Sequence, residues 1–158
     1  MEDLEYFMRK ALEQAEIAKS INETPIGCVI VENNKIIATG YNRRESDQNA
    51  VDHAEIAAIR TACAKTGFWR LTGCDLYVTL EPCPMCAGAI INARIRSVVF
   101  GARDKKAGAF GSVINLNDYP FNHKPEIIGG VLADRSGLML SGFFRDLRGK
   151  KSREFNCK

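Results

Sequence analysis

The sequence predicts an α/β fold in which a central mixed β-sheet of about five strands is flanked by helices. Three observations lead to this class. Segments with helical and strand-like apolar spacing alternate along the chain, the first two strand segments are separated by a tight turn, and no internal repeat or low-complexity linker interrupts the sequence. With 158 residues, 46% of them hydrophobic and 26% charged, the chain suits one domain, residues 1–158, that buries a sizeable core.

The first part of the chain predicts a helix and a hairpin. In residues 4–20, apolar side chains recur at three- and four-residue steps, which is typical of an amphipathic packing helix. Residues 26–31 and 35–41 are rich in strand-forming types and predict two strands. Between them, Asn33 and Asn34 tolerate positive φ, so we expect a tight turn and antiparallel pairing.

The central part alternates helices with strands after a polar loop at residues 42–52. The predicted elements are a helix, a strand, a helix and a strand, over residues 53–65, 75–80, 83–93 and 97–100. This order implies parallel pairing of the strands that the helices connect. A Gly-rich loop at 101–112, a short apolar run at 127–132 and a terminal helix from about residue 136 complete the chain.

Charge and hydropathy limit the location and the partners. No stretch approaches the roughly 20 apolar residues of a membrane span, and the start of the chain lacks a signal-peptide pattern, so we expect a soluble, cytoplasmic protein without a membrane partner. Residues 145–158 contain six basic and two acidic side chains, a net charge of +4. This basic tail is compatible with a phosphate-bearing partner and equally with a solvated surface.

The six cysteines do not form an obvious disulfide framework. Cys28 and Cys63 lie in apolar patterns, and we expect buried free thiols there. Cys74 and Cys157 have no obvious partners. Disulfide bonding is therefore the weaker interpretation.

Four side chains in two short segments indicate a catalytic zinc site. His53 and Glu55 must lie at a helix start, because residues two apart in mid-helix point roughly 200° away from each other. Cys83 and Cys86, three apart at the start of the next helix, face one point, and the helix N-terminus favours the thiolates that bind metal. Three ligands leave one coordination position open, as in catalytic zinc sites. Glu55 is not needed as a ligand and can transfer protons. A zinc-activated hydroxide together with a proton-transferring Glu is what hydrolytic removal of an amino group requires.

His-x-Glu followed at a distance by Pro-Cys-x-x-Cys resembles the signature of the zinc-dependent cytidine deaminase superfamily. Within that superfamily the chain is similar to the bacterial tRNA-specific adenosine deaminases, from the first helix to about residue 144. The similarity is carried by residues 24–31, 40–43, 53–55, 76–90 and 98–104.

The resemblance implies a three-layer cytidine deaminase-like fold and a defined reaction. The wobble adenosine of a tRNA anticodon loop would become inosine, by attack of a zinc-activated hydroxide on C6 with Glu55 as the proton shuttle. One Zn²⁺ per subunit would be held by His53, Cys83 and Cys86. A homodimer would hold the anticodon stem-loop.

The resemblance also implies substrate contacts, with the base splayed out of a single-stranded loop. Asn42 would hydrogen-bond the base edge, Ile26 would pack on the purine, and Asp104 would lie near the flanking nucleotides. The terminal helix would present three residues to the RNA, namely Phe143, Phe144 and Arg145.

Several of these residues also have alternative interpretations that the sequence does not exclude. The three ligands would form a structural zinc site if a fourth ligand such as His123 or another Cys completed it, although we expect His123 to be a satisfied loop residue. Asn42 also suits a turn, and Asp104 also suits a loop position in which it pairs with Arg103 or Lys105. Phe143 and Phe144 also suit a core or an interface. The sequence departs from the family at Asp52 and in residues 44–51, and Asp52 would either cap the helix, which we favour, or orient the imidazole of His53.

Two other functions are compatible with the sequence. The nearer one is deamination of a free nucleobase or nucleotide, of the guanine or cytosine type. Residues 100–104 and the basic tail argue against it, since a free base needs no long basic surface. The remote alternative is a non-catalytic zinc module that binds RNA. Glu55 argues against that alternative, because a binding module has no use for an unligated acid beside its metal.

Overall fold

A computed structural model describes residues 2–156, so Cys157 and Lys158 lie outside the described residues. Within that range the chain forms four α-helices and five strands. The helices are α1 (Glu2–Ser20), α2 (Ala54–Thr66), α3 (Pro84–Asn92) and α4 (Ala133–Asn156). The strands are β1 (Gly27–Glu32), β2 (Lys35–Tyr41), β3 (Cys74–Leu80), β4 (Ser97–Ala102) and β5 (Glu126–Ile128). No helix in the described part of the chain is long and apolar enough to cross a membrane.

The five strands form one mixed sheet in the order β2-β1-β3-β4-β5, which confirms the predicted sheet. β1 pairs antiparallel with β2 and with β3, whereas β3, β4 and β5 pair in parallel. The expected parallel pairing of β2 with β3 is therefore wrong. Both strands run in the same direction, but β1 lies between them, with Cys28 opposite Gly40 on one edge and opposite Val78 on the other.

The predicted β1–β2 turn is confirmed in detail. Glu32 pairs with Lys35, so the loop contains only two residues. Asn33 and Asn34 have φ values of 49° and 60°, the left-handed conformation at both central positions that a two-residue hairpin of this kind requires. The hairpin fixes the position of the loop that follows β2.

Two cores cover the two faces of the sheet, as expected for three layers. One face packs against α2 and α3 through alternate strand residues such as Ile30, Leu76 and Val98. The other face packs against α1, where Phe7 and Met8 meet the remaining strand residues. Cys28 is fully buried as predicted, whereas Cys63 is only half-buried, so that part of the prediction is wrong. The five cysteines in the described residues are free thiols.

Two predicted elements differ at their boundaries. The apolar run at 127–132 supplies only two residues of the three-residue strand β5, because the chain turns at Gly130 and Leu132, whose φ values are 89° and 53°. The terminal helix consequently begins at Ala133 rather than near Ser136. This longer α4 carries its first turns past β4 and toward the candidate site.

Candidate active site

The N-termini of α2 and α3 bring the two predicted ligand segments together. α2 leads into β3 and α3 follows it, so both helices begin at the carboxyl end of that strand. His53 and Cys83 are the N-cap residues, each in an extended conformation, and Pro84 starts α3 with the fixed φ that suits the first helical position. Cys86 follows in the first turn. Residues thirty positions apart in sequence thus share one point in space.

The three candidate ligands have the spacing of a tetrahedral zinc site. The Nδ1 atom of His53 lies 3.7 Å from the sulfur of Cys83 and 3.5 Å from the sulfur of Cys86. Tetrahedral zinc, with Zn–N of 2.0–2.1 Å and Zn–S of 2.3 Å, places its nitrogen and sulfur ligands roughly 3.6 Å apart. All three ligand atoms lie within 4.8 Å of one another. The residues present therefore fit the metal without rearrangement.

No fourth protein ligand is found for this cluster in the part of the chain that the structure describes. His123, the candidate raised by the sequence, is instead bonded through Nε2 to the carbonyl oxygen of Ile95 at 2.7 Å. The expectation that His123 is a satisfied loop residue is thus confirmed. Three ligands with one open position remain, which is typical of catalytic zinc.

The pKa values of the two thiols, Cys83 and Cys86, are shifted in opposite directions. The hydrogen bond with Cys86 is the main cause that lowers the pKa of Cys83 to about 4, and it raises the pKa of Cys86. The hydrogen bond to Cys83 raises the pKa of His53. Without a cation the cluster carries one thiolate, whereas a coordinated ion deprotonates a thiol outright. The chemistry of the set thus favours a cation at its centre.

Glu55 lies beside the cluster and is not needed as a ligand. Its side chain is only 4% exposed, and the thiol of Cys86 donates to its Oε2 atom at 3.4 Å. Burial raises the pKa of Glu55 above the ordinary range of a carboxyl group. A carboxyl group with a raised pKa is a stronger base than an ordinary carboxylate, which suits a group that has to accept and return a proton.

A cavity of about 230 Å³ opens in front of the cluster. Drug-sized pockets run from roughly 300 to 1,000 Å³, so this cavity suits a single base better than a larger ligand. Four of the predicted substrate residues line it, namely Ile26, Asn42, Asp104 and Phe144. Phe143 and Arg145 are not among its lining residues. The ring of Phe143 packs edge-on against Phe144 at 5.5 Å, and Arg145 is exposed on α4.

Asn42 combines a turn role with an unused capacity for hydrogen bonds. It is buried, its Nδ2 donates to the carbonyl oxygen of Thr24 at 3.4 Å, and its Oδ1 accepts from the backbone N–H of Arg44 at 3.3 Å. An amide side chain has two donors and two acceptor positions, so one of each is left toward the cavity. The two interpretations of Asn42, as a turn residue and as a hydrogen-bonding partner of a base edge, are therefore compatible.

Asp104 organises its own loop. Its Oδ1 accepts from the backbone N–H groups of Lys106 and Ala107 at 3.0 and 3.2 Å. The loop reading of Asp104 is correct in kind, but the partners are backbone amides rather than Arg103 or Lys105. Asp104 also lines the cavity, and its second carboxylate oxygen has a remaining capacity to accept hydrogen bonds.

The sequence interpretation missed Glu81, which also lines the cavity. Its carboxylate is 2% exposed and accepts from the backbone N–H groups of Asp104, Phe110 and Ser112 and from the Ser112 hydroxyl. Gly108 passes so close that an added Cβ would overlap this carboxylate. The signal in the sequence that could have identified Glu81 is a charged residue between a buried strand and the Pro-Cys pair.

The cavity has further lining residues that the sequence did not single out, namely Thr24, Arg44, Leu80 and Ala107.

The favoured role of Asp52 as the helix cap is wrong. His53 is the N-cap of α2, one residue later, and Asp52 lies before it. The carboxyl group of Asp52 pairs instead with that of Asp47, and this hydrogen bond is the main cause that raises the pKa of Asp52. Asp47 is held in turn by Arg43, which contacts it at 3.0 Å.

The chain belongs to the family defined by the cytidine and deoxycytidylate deaminase zinc-binding region, whose model matches residues 1–102. This match includes His53, Glu55, Cys83 and Cys86. The family is a class of zinc-dependent deaminases, so the chain is a deaminase with a zinc-binding domain.

Within that class the similar proteins are more specific. The tRNA-specific adenosine deaminase of Bacillus subtilis is 50% identical over 148 residues, which cover 93% of this chain and 92% of that protein. The tRNA-specific adenosine deaminase of Rickettsia bellii is 49% identical over 144 residues, covering 89% and 99%. A solved structure from a study of A-to-I editing by tRNA:A34 deaminases has a TM-score of 0.83 and 44% identity, covering 85% of this chain and 99% of that chain.

A guanine deaminase from Nitrosomonas europaea shares the fold at a lower identity. Its TM-score is 0.75 at 27% identity, with 88% of this chain and 83% of that chain covered. The fold is therefore common to deaminases of different substrates. The fold alone therefore does not identify the substrate.

Proposed function

We propose that this protein hydrolytically deaminates the wobble adenosine of tRNA anticodon loops to inosine. The observation that carries the reaction type is the three-ligand cluster with the unligated Glu55 beside it, at the end of a cavity sized for one base. The substrate follows from the level of similarity to tRNA-specific adenosine deaminases, which reaches 50% identity over 93% of the chain.

The reaction consumes water and adenosine and yields inosine and ammonia. His53, Cys83 and Cys86 would hold one Zn²⁺ per subunit, and the chemistry that zinc supplies when bound is acidification of a water molecule. Glu55 would take one proton from the attacking water and deliver it to the ring nitrogen, and would then carry the proton of the hydroxyl group added at C6 to the amino group, which leaves as ammonia. Because Glu55 is buried, these transfers occur away from bulk water.

The cavity walls hold the base. Ile26 supplies an apolar surface for the purine ring, while the remaining donor and acceptor of Asn42 suit the polar edge of the base. A base enters such a cavity only after it leaves the stack, which is least costly in a single-stranded loop. An anticodon loop meets this requirement.

Side chains at the rim of the cavity can contact the nucleotides next to the reacting base. Asp104 has a free carboxylate oxygen there, and Phe144 presents an aromatic ring on which a base can stack. Phe143 supports that ring by its edge-on contact. Arg145 follows Phe144 on α4, and the helix continues away from the cavity with further basic residues, of which those on the Phe144 face would meet phosphates.

The proposal extends to assembly and location. The chain acts as one domain over residues 1–158, as a cytoplasmic homodimer that holds the anticodon stem-loop. Phe68 and Trp69, 70% and 56% exposed, supply apolar surface of the kind that a subunit interface covers. The molar mass in solution tests the dimer: twice the chain mass is expected, and a monomer at micromolar concentration contradicts it.

Substrate choice is tested by a panel. The purified protein is incubated with unmodified tRNA that carries a wobble adenosine, and separately with free guanine, cytosine and adenosine. We expect inosine in the tRNA and at least a hundredfold lower kcat/KM for each free compound. The shared fold with a guanine deaminase makes guanine the second candidate. Turnover of guanine without any inosine in the tRNA would replace the proposed substrate by a free base.

A further inference from the structure

Glu23 is a buried acidic residue outside the ligand cluster. It lies between α1 and β1 and is 1% exposed. Its Oε2 atom accepts from the backbone N–H of Glu45 at 3.4 Å, and its Oε1 atom accepts from the backbone N–H of Ser46. Both carboxylate oxygens are therefore used to hold one segment of backbone more than twenty residues away.

That segment belongs to the loop at residues 42–52, which forms part of the cavity wall. Asn42 and Arg44, near the start of the loop, line the cavity, and Thr24 and Ile26 line it from the segment next to Glu23. The backbone N–H of Asn42 also donates to the carbonyl oxygen of Ile26 at 3.1 Å. The bonds from Glu23 thus extend the pairing of β1 and β2 beyond the ends of both strands.

The carboxylate is better suited to this task than a neutral side chain. Two consecutive backbone N–H groups need two acceptors, and a buried charge has to be compensated by such donors. A glutamine of the same size offers one acceptor, and its amide group would face the second N–H with hydrogens of its own. The loop is otherwise largely exposed from Arg44 to Val51, and these bonds hold its Glu45–Ser46 segment against the chain between α1 and β1.

We propose that Glu23 is a positioning residue for substrate binding, which holds Arg44 where its guanidinium meets the phosphate beside the reacting base. This inference rests on the proposed function. Arg44 lines the same cavity as His53 and Glu55, so its side chain lies beside the reacting base. A mobile guanidinium pairs less well with phosphate than one held in place, because binding must then order it.

The test compares Glu23→Gln with the matched control Glu45→Gln. Glu45 lies in the same loop and its side chain is exposed, so its variant removes the same charge and keeps the backbone contact. For Glu23→Gln we expect the KM for tRNA with a wobble adenosine to rise at least fivefold. The kcat should stay within twofold and the zinc content should be unchanged. For Glu45→Gln both constants should match those of the wild type.

A double-mutant comparison shows which residue transmits the effect. In an Arg44→Ala background, Glu23→Gln should raise the KM by less than twofold, because the side chain that it positions is gone. Amide hydrogen exchange without tRNA reports on the loop itself. In Glu23→Gln the N–H groups of Glu45 and Ser46 should exchange at least ten times faster than in the wild type.

Each other result overturns part of the argument. Faster exchange with an unchanged KM shows that the loop is held but that its position does not matter for binding. An equal rise in KM with and without Arg44 assigns the effect to another residue. Unchanged exchange shows that the carboxylate does not hold the loop. A wild-type protein that forms no inosine overturns the proposed function and the role in binding with it, while the exchange rates still decide whether Glu23 anchors the loop.

Discussion

The basic residues of α4 differ in whether they can follow an RNA strand away from the cavity. Arg148 and Lys151 come four and seven residues after the cavity-lining Phe144. At 100° per residue, the helix places both within about 40° of the Phe144 direction, at rises of roughly 6 and 10 Å. We predict that these two side chains contact phosphates of the bound strand, and that replacing both with alanine removes two contacts.

The expected magnitude follows from counterion release. Each lost phosphate contact lowers the slope of log Kd against log salt by about 0.7 to 0.9, so the double variant should lose roughly 1.4 to 1.8. The ratio of the variant's Kd to the wild-type Kd should then fall about tenfold between 50 and 200 mM salt. The Kd for the tRNA is measured by fluorescence anisotropy in a Glu55→Gln background, in which turnover does not interfere.

Two other basic residues of the same helix provide the matched control. Lys150 and Arg153 point about 120° and 180° away from Phe144. Replacing both with alanine removes the same charge, but we expect a change in slope below about 0.5. Equal slopes for the two double variants would refute the assignment to one face and leave only a general effect of charge.

Three further predictions concern stability and the metal. Gly27→Ala should lower the free energy of unfolding in urea by about 2 to 3 kcal/mol, because its Cβ would overlap the α1 backbone, whereas Gly142→Ala, with open space around it, should raise it by about 0.5 to 1 kcal/mol. Burial raises the pKa of Cys74 to about 11, so the folded state holds this proton more tightly than the unfolded state. The contribution of this thiol to the free energy of unfolding is fully present below pH 9 and should be lost as the pH rises toward 11. The free energy of unfolding of Cys74→Ala should therefore fall less over this pH range. Cys83→Ser should lose its zinc in elemental analysis while it keeps its far-UV circular dichroism; retained zinc would remove Cys83 from the ligand set.

The ligand cluster could be predicted from the sequence because its constraints are local. His53 and Glu55 are too close in sequence to share a target from mid-helix, and Cys83 and Cys86 have the spacing of one helical turn. Each pair therefore had to start a helix. Helix starts at the same end of a sheet then bring the pairs together.

The remainder depends on contacts between distant segments. Nothing in the pattern of β1 shows that it pairs on both edges, so its insertion between β2 and β3 could not be predicted from the order of the elements. Glu23 and Glu81 escaped notice for a related reason. Their partners are backbone N–H groups 22 to 31 positions away, and backbone N–H groups carry no signal in the sequence.

The most direct measurement is the amount of inosine at the wobble position of a tRNA after reaction with the wild-type protein and with Glu55→Gln. Both proteins should contain the same amount of zinc, since Glu55 is not counted among the ligands. Inosine should accumulate with the wild type, and the rate should fall by about a hundredfold to ten-thousandfold in the variant, which lacks the proton shuttle. A Glu55→Gln protein that forms inosine at the wild-type rate would contradict the account.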